Sequence, residues 1–415
     1  MYRAPRGTTD ILPDEQAYWY YVRQKAVEAC QLYGYQRIDS PVFEDTGLFV
    51  RSVGQGTDIV EKEMYTFTDK GGNRVTLRPE GTAPVCRAYL ERGMHNWPQP
   101  VKLYYLASIF RYERPQAGRL REHHQFGCEA IGDGDPALDA EVIAMAWQFF
   151  LSLGLERLSL QLNSIGCRQC RPGYLAALTG YYAGYRDELC PDCRSRLKRN
   201  PLRLLDCKKP SCQRIADGAP RSVDHLCPEC QAHFEKLRHY LELEAVPPVV
   251  NHRLVRGLDY YTRTVFEVQP EGGSAQSTLG GGGRYDDLIE ELGGKPTPAI
   301  GFAAGMERII LNLREQGIAV PPLPGPQLFI AYLGEAARQV AVRLAANLRR
   351  AGTGVLVATG DRSLKAQLRQ ANARGVRYAA IIGADEVAAG SVVLRDMANA
   401  RQETVPVAKL PALLT

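Results

Sequence analysis

Residues 254–268, LVRGLDYYTRTVFEV, place an arginine, an aspartate and two tyrosines within six positions of a run rich in β-formers. Such groups cost free energy to bury unless something binds them. Two readings follow. Arg256, Asp259, Tyr260 and Tyr261 face a charged, polar ligand, or the run is an edge strand with solvated charges. A second concentration of chemistry is a set of eight cysteines, spaced Cys167-x2-Cys170-x19-Cys190-x2-Cys193 and then Cys207-x4-Cys212-x14-Cys227-x2-Cys230. Paired thiolates at these spacings suit four-ligand zinc geometry. The eight could close two sites in sequence order or with pairs interleaved, or they could stay reduced and merely pack. Four sulfurs per ion leave no open coordination position, so zinc held this way would be structural. A third concentration is the loop YERPQAGRLREHH, residues 112–124, with Arg114, Arg119 and Arg121. Pro115 and Gly118 keep it out of regular structure, and loops this long and charged are more often functional than decorative.

The elements around these groups can be read from periodicity. Residues 14–33 carry Ala17, Tyr18, Tyr21, Val22, Ala26 and Ala29 at helical spacing, and the helix ends near Gly34. YQRIDSPVF, residues 35–43, reads as one strand with Pro41 at an edge or bulge. MYTFTDKGGNRVTL reads as a hairpin about Gly71 and Gly72, leading to Arg78, Glu80 and a helix whose first turn is Thr82-Ala83-Pro84. VKLYYLASIFR and QFGCEAI are strands on either side of the charged loop, an antiparallel arrangement. A helix over 137–153 and a strand over 158–165 precede the cysteines. The glycine run from Gly280 to Gly283 ends in Arg284-Tyr285-Asp286, and GFAAGMERIILNLRE predicts a helix beginning near Gly301.

The chain has 415 residues and a net charge of +5, too long for one ordinary domain. No apolar run approaches the roughly 20 residues that span a bilayer, and the N-terminus lacks the apolar stretch of a signal peptide. A cytoplasmic protein is expected, in which the 11 cysteines stay reduced. Pro321-Pro322-Leu323-Pro324-Gly325-Pro326 reads as a stiff linker, after which strands and helices alternate as in a small parallel or mixed α/β domain. Residues 326–415 hold 12 Lys+Arg against 6 Asp+Glu, leaving 39 against 40 elsewhere. A basic module on a near-neutral body suggests a polyanionic partner, or a chance excess on a soluble domain.

Taken together, FRYER at 110–114 and GMERI at 305–309 resemble motifs 2 and 3 of the class II aminoacyl-tRNA synthetases, and SPVFE around Pro41 resembles motif 1. LVRGLDYY and GGGGRYD look like signatures of the histidine-specific branch. Five short motifs in order, followed by an α/β module, make the chain similar to bacterial histidyl-tRNA synthetases over essentially its whole length. The resemblance implies an α+β fold with an antiparallel catalytic sheet over residues 1–320, interrupted by a helical, Cys-rich insertion at about 166–246. A linker at 321–326 and an anticodon-binding domain at 327–415 would follow. It also implies a homodimer paired through motif 1, ATP with Mg2+ as co-substrate, and L-histidine and tRNA(His) as partners.

By the same resemblance, Arg111 and Arg256 would contact the α-phosphate of ATP from opposite sides and Arg308 the γ-phosphate. Glu113, Arg119, Arg121 and His123 would complete the nucleotide side. His123 stands where the family usually has a phenylalanine that stacks on adenine. Glu80, Gly81, Thr82 and Gln125 would surround the α-amino group of histidine, Glu129 and Tyr261 would read its imidazole, and Tyr260 and Tyr285 would line the pocket. Asp259 would support its neighbours, while Gln116 and Arg119 would face the tRNA acceptor end. The alternatives are a non-catalytic paralogue that senses histidine as a regulatory subunit, and a general nucleic-acid-binding protein. The second leaves the pocket signature unexplained.

Overall fold

A computed structural model describes residues 2–54, 57, 59–115, 118–272 and 278–414. The chain divides into two compact units, Met1–Pro321 and Pro322–Thr415.

The first unit opens with helix α1 (Gln16–Leu32), which buries Trp19, Val22, Ala26 and Ala29 along one face. Two short strands follow, β1 (Gln36–Arg37) and β2 (Phe43–Asp45). The single strand expected over 35–43 is therefore split, with Pro41, which cannot donate to a ladder, between the halves. Arg78 holds this break, its guanidinium donating to the carbonyls of Ser40, Pro41 and Ser108. Helix α2 (Thr46–Val53) and the hairpin β3 (Thr66–Thr68) and β4 (Arg74–Leu77) come next, β2, β4 and β3 forming a small sheet.

Helix α3 (Thr82–Glu91) leads to the long antiparallel pair β5 (Val101–Phe110) and β6 (Glu122–Ile131). Helix α4 (Pro136–Ser152) is apolar on nearly every face, the mark of a buried helix. Its Phe149 and Phe150 join Phe126 and other sheet residues in the largest core. Strand β7 (Leu158–Ser164) precedes the insertion, which contains α5 (Arg171–Ala183), α6 (Pro191–Arg199), α7 (Pro210–Asp217) and α8 (Pro228–Leu243). Strands β8 (Pro248–Val250), β9 (Thr262–Pro270) and β10 (Gly280–Arg284), the short helix α9 (Leu288–Glu291), β11 (Ala299–Gly305) and α10 (Met306–Glu315) complete the unit.

The large sheet has the order β1-β5-β6-β11-β10-β9-β7-β8. Its six central strands pair antiparallel, and only the edge strands β1 and β8 run parallel to their neighbours. Two expectations change here. Gly301 to Gly305 belong to a strand, because β6 and β10 pair with them on both sides. Residues 254–261 form a loop, with the strand starting only at Thr262. Successive side chains of a strand point to opposite faces; the loop lets Tyr260 and Tyr261 lie together, ring centroids 4.8 Å apart. Behind the sheet, the fully buried Arg284 donates to Asp139 of α4 at 2.8 Å, and Asp139 accepts from Thr264 at 2.6 Å. This pairing satisfies two buried charges and ties the glycine strand to α4 and β9.

In the second unit β12 (Leu328–Tyr332), α11 (Glu335–Arg350), β13 (Val355–Val357), α12 (Leu364–Ala373), β14 (Tyr378–Ile382), α13 (Ala384–Ala389), β15 (Ser391–Asp396), β16 (Gln402–Pro406) and α14 (Leu410–Leu413) follow in turn. The sheet order β13-β12-β14-β15-β16 is parallel over its first three strands and antiparallel over the rest, a mixed α/β domain.

Candidate active site

A cavity of about 880 Å³ opens on the large sheet of the first unit. Its floor includes parts of β6, β9, β10 and β11, and its walls come from the segment before α3, the 112–124 loop, the 254–261 loop and the insertion. Glu80, Gly81, Thr82, Gln125, Tyr260, Tyr261 and Tyr285 line one part; Arg111, Glu113, Arg119, His123, Arg256 and Arg308 also line it.

Glu80 is built as the cap of α3. Its carboxylate accepts from the backbone N–H of Thr82 at 2.7 Å and of Ala83 at 2.8 Å, leaving lone pairs toward the cavity. Burial raises its pKa, with those two hydrogen bonds opposing. Beneath it lies Glu129, wholly buried, which accepts from the Thr82 hydroxyl at 2.7 Å and the Tyr285 hydroxyl at 2.5 Å. Burial pushes its pKa up to about 8 against these bonds. Gly301 explains how a carboxylate fits there, since a Cβ on it would overlap Glu129. Tyr105 fills the space beside it: a Cβ on Gly81 or on Gly127 would run into its ring.

Arg256 donates to Glu267 of β9 at 2.5 Å, and its guanidinium sits 5.8 Å from the Tyr261 ring centroid. Burial opposes its charge, but Tyr261 and Glu267 more than offset that, so it stays firmly cationic. Glu267 also accepts from the Thr278 hydroxyl at 2.8 Å. Arg111 is anchored by Nε to the Pro79 carbonyl at 2.6 Å, and Arg308 by Nη1 to the Thr278 carbonyl at 3.0 Å and Nε to that of Gly118 at 3.2 Å. Three guanidinium groups thus present positive charge to one space with side-chain geometry already fixed, a ready site for phosphate oxygens. His123 lies among them; burial first, then the charges of Arg111 and Arg308, lowers its pKa to about 3, so the ring is neutral at physiological pH. Its neighbour His124 is turned away, its Nδ1 2.8 Å from Glu307 and its ring edge-on to Trp19.

Two expected residues, Arg121 and Asp259, are not among those lining the cavity, and Glu129 lies buried behind Thr82 and Tyr285, which do line it. Arg121 stacks on Tyr112, 3.7 Å from the ring centroid, and donates to the Glu113 carbonyl. Asp259, counted first among the ligand-facing groups, instead accepts from Asn200 of the insertion at 2.8 Å. Gln116 lies outside the described residues. Conversely, the sequence reading passed over Tyr105 and Glu267. A charged residue inside the apolar run TVFEV was the available signal for Glu267, whereas nothing in the alternation of VKLYYLASIF singled out Tyr105. It also missed Arg203, Asp206 and Lys208 of the insertion, which reach the cavity.

The eight cysteines assemble as two tetrads, Cys167, Cys170, Cys227 and Cys230, and Cys190, Cys193, Cys207 and Cys212, with the sulfurs of each within 4.8 Å of one another. The pairs are neither in sequence order nor interleaved. They nest, the outermost pairs joining around the inner four.

An antiparallel sheet that floors one cavity lined by converged arginines and by Glu80, Gln125, Tyr260, Tyr261 and Tyr285 is the arrangement of a class II aminoacyl-tRNA synthetase. A family model described as histidyl-tRNA synthetase matches residues 7–169 and 214–309, and one described as an anticodon binding domain matches 327–415. A histidine--tRNA ligase of Dehalococcoides mccartyi is 62% identical over 410 residues, 99% of this chain and 98% of that one. The crystal structure of apo S. aureus histidyl-tRNA synthetase superposes with a TM-score of 0.84 at 38% identity, covering 100% of both chains. The chain belongs to the histidyl-tRNA synthetase family and is an aminoacyl-tRNA ligase. A Bacillus halodurans protein titled ATP phosphoribosyltransferase regulatory subunit/histidyl-tRNA synthetase, with a TM-score of 0.64 at 23% identity over 92% of this chain and 97% of that one, shares the fold alone. The regulatory-subunit alternative is not favoured.

Proposed function

We propose that this chain activates L-histidine with ATP and transfers it to the 3′ end of tRNA(His), through the side chains assigned below. The observation that carries the assignment is the convergence of Arg111, Arg256 and Arg308 on the cavity that also holds Glu80 and the tyrosine cluster, with the buried Glu129 bonded to two of its lining residues, Thr82 and Tyr285. Histidine's carboxylate is ionised at neutral pH and attacks the α-phosphorus without a general base. The need is positioning, and positive charge where negative charge accumulates. Arg111 and Arg256 take the α-phosphate and Arg308 the γ-phosphate; Glu113 and Arg119 lie on the nucleotide side, and His123 stacks on adenine.

The ammonium group of histidine sits among Glu80, Thr82 and Gln125. Glu129 and Tyr261 read the imidazole, with Gly81, Tyr260 and Tyr285 completing the walls. Burial disfavours the charge on Glu129 despite its bonds from Thr82 and Tyr285, and an imidazole N–H brought to it would stabilise that charge, which a side chain without such a donor cannot do. Mg2+ enters with the nucleotide as its counter-ion.

The 112–124 loop, with Gln116 and Arg119, faces the tRNA acceptor end, and the second unit binds the anticodon in a salt-dependent manner. The protein works in the cytoplasm as a homodimer. Val42, Phe43 and Phe67, 45%, 54% and 48% exposed at the small sheet, favour a partner there. In an aminoacylation assay with tRNA(His), histidine alone among the amino acids is expected to be charged. Charging of another amino acid, or none, would sink the assignment.

A further inference from the structure

We propose that the insertion holds two structural zinc ions in nested, closed tetrathiolate sites, each with a distinct mechanical task. A zinc–sulfur bond of about 2.3 Å in a tetrahedron separates neighbouring sulfurs by about 3.8 Å. The sulfur pairs Cys167–Cys170 and Cys167–Cys227 are 3.8 Å apart, and Cys190–Cys207 is 3.9 Å. Disulfides need about 2.05 Å, and all eight thiols are free. In each tetrad a backbone N–H also points at a sulfur, Cys167 to Cys170 at 3.2 Å and Cys190 to Cys212 at 3.3 Å. Thiols that only pack have no reason to gather in fours. The three cysteines of the sheet unit, Cys30, Cys86 and Cys128, lie in apolar cores. The insertion's own core is small, built around Tyr174, Leu178 and Tyr182, and domains of that size commonly need a metal or disulfide staple.

The outer tetrad closes the root of the insertion, joining positions 60 apart in sequence. Arg171, one residue past Cys170, donates to the carbonyls of Tyr261 at 2.5 Å and Gly166 at 3.2 Å, so this ion fixes the frame behind a pocket tyrosine. The inner tetrad includes Cys207, which itself borders the cavity between Asp206 and Lys208. That ion holds a charged segment at the cavity wall. A closed four-sulfur shell leaves neither ion a reactive position.

The test uses the full chain purified without chelator. Elemental analysis is expected to give two zinc ions per chain, and zinc X-ray absorption a shell of sulfur alone at about 2.3 Å. Cys193→Ser and Cys230→Ser should each retain one ion. Stripping the native protein with a strong chelator should lower its melting temperature. Zinc-free protein whose melting ignores chelators, intact masses that reveal disulfides, or nitrogen and oxygen in the zinc shell would each overturn the proposal. The wild-type measurements decide it even if a serine variant fails to fold, and they do not depend on the activity of the cavity.

Discussion

The guanidinium of Arg256 meets the carboxylate of Glu267 at 2.5 Å, although the arginine sits on a loop and the glutamate on β9. A largely buried arginine held this way is aimed before substrate arrives, and such preorganised charge is what phosphoryl transfer uses. Glu267→Gln keeps an acceptor but removes the charge. Histidine-dependent ATP–pyrophosphate exchange should fall about 10- to 100-fold in kcat, the scale typical of residues that orient a catalytic group, while the protein stays folded. Unchanged exchange would reduce Glu267 to a packing role.

Glu129 should make the empty protein sensitive to alkaline pH. Its pKa rises from 4.5 in the unfolded chain to about 8 in the fold, chiefly through burial. The folded state therefore holds this proton more tightly. The resulting stabilisation is fully present below about 4.5 and is lost as pH rises through about 8. Asp139, raised by burial to about 6, loses its contribution at lower pH and does not confuse the upper part of the window. Denaturant midpoints at pH 6 and pH 9 should show Glu129→Gln gaining on the wild type at the higher pH, by on the order of a few kcal/mol. A gap between the two proteins that ignores pH would contradict this. The same variant should raise the KM for histidine by roughly 10- to 100-fold through loss of a charged hydrogen bond.

Gly127 gives Tyr105 its place. An alanine there would drive the Tyr105 ring toward the amino-acid end of the cavity. Gly127→Ala should cost about 1–3 kcal/mol as an overpacked core does, and raise the KM for histidine with little change for ATP. Equal losses for both substrates would point to general misfolding instead.

His123, with its pKa at about 3, should behave as a neutral ring throughout the working range. His123→Phe is expected to leave the KM for ATP within about threefold, less than 1 kcal/mol of binding, and to leave its pH profile between 6 and 9 unaltered. A new pH dependence on removing the histidine would mean that it carries a proton in the reaction.

Much of the cavity was legible from residue types and order. Arg111, Arg256, Arg308, Glu80 and Tyr285 stand in short motifs, and all of them line one space. What stayed hidden depends on the third dimension. The tetrads nest because the two ends of the insertion return to one place, which local spacing cannot reveal. Asp259 lies beside Tyr260 in sequence, yet the loop turns it toward Asn200. Gly301 reads as a helix start because GFAAGMERI is rich in small and apolar residues, but ladders from β6 and β10 outweigh that local pattern. Strand β16 went unseen because it buries only Val405 and so carries no alternation.

The central assignment, that Arg256 stabilises the charge developing at the α-phosphate, is tested most directly by Arg256→Ala in histidine-dependent ATP–pyrophosphate exchange. The expected result is a fall in kcat of about 10²- to 10³-fold in a protein that still folds. Exchange at the wild-type rate would contradict it.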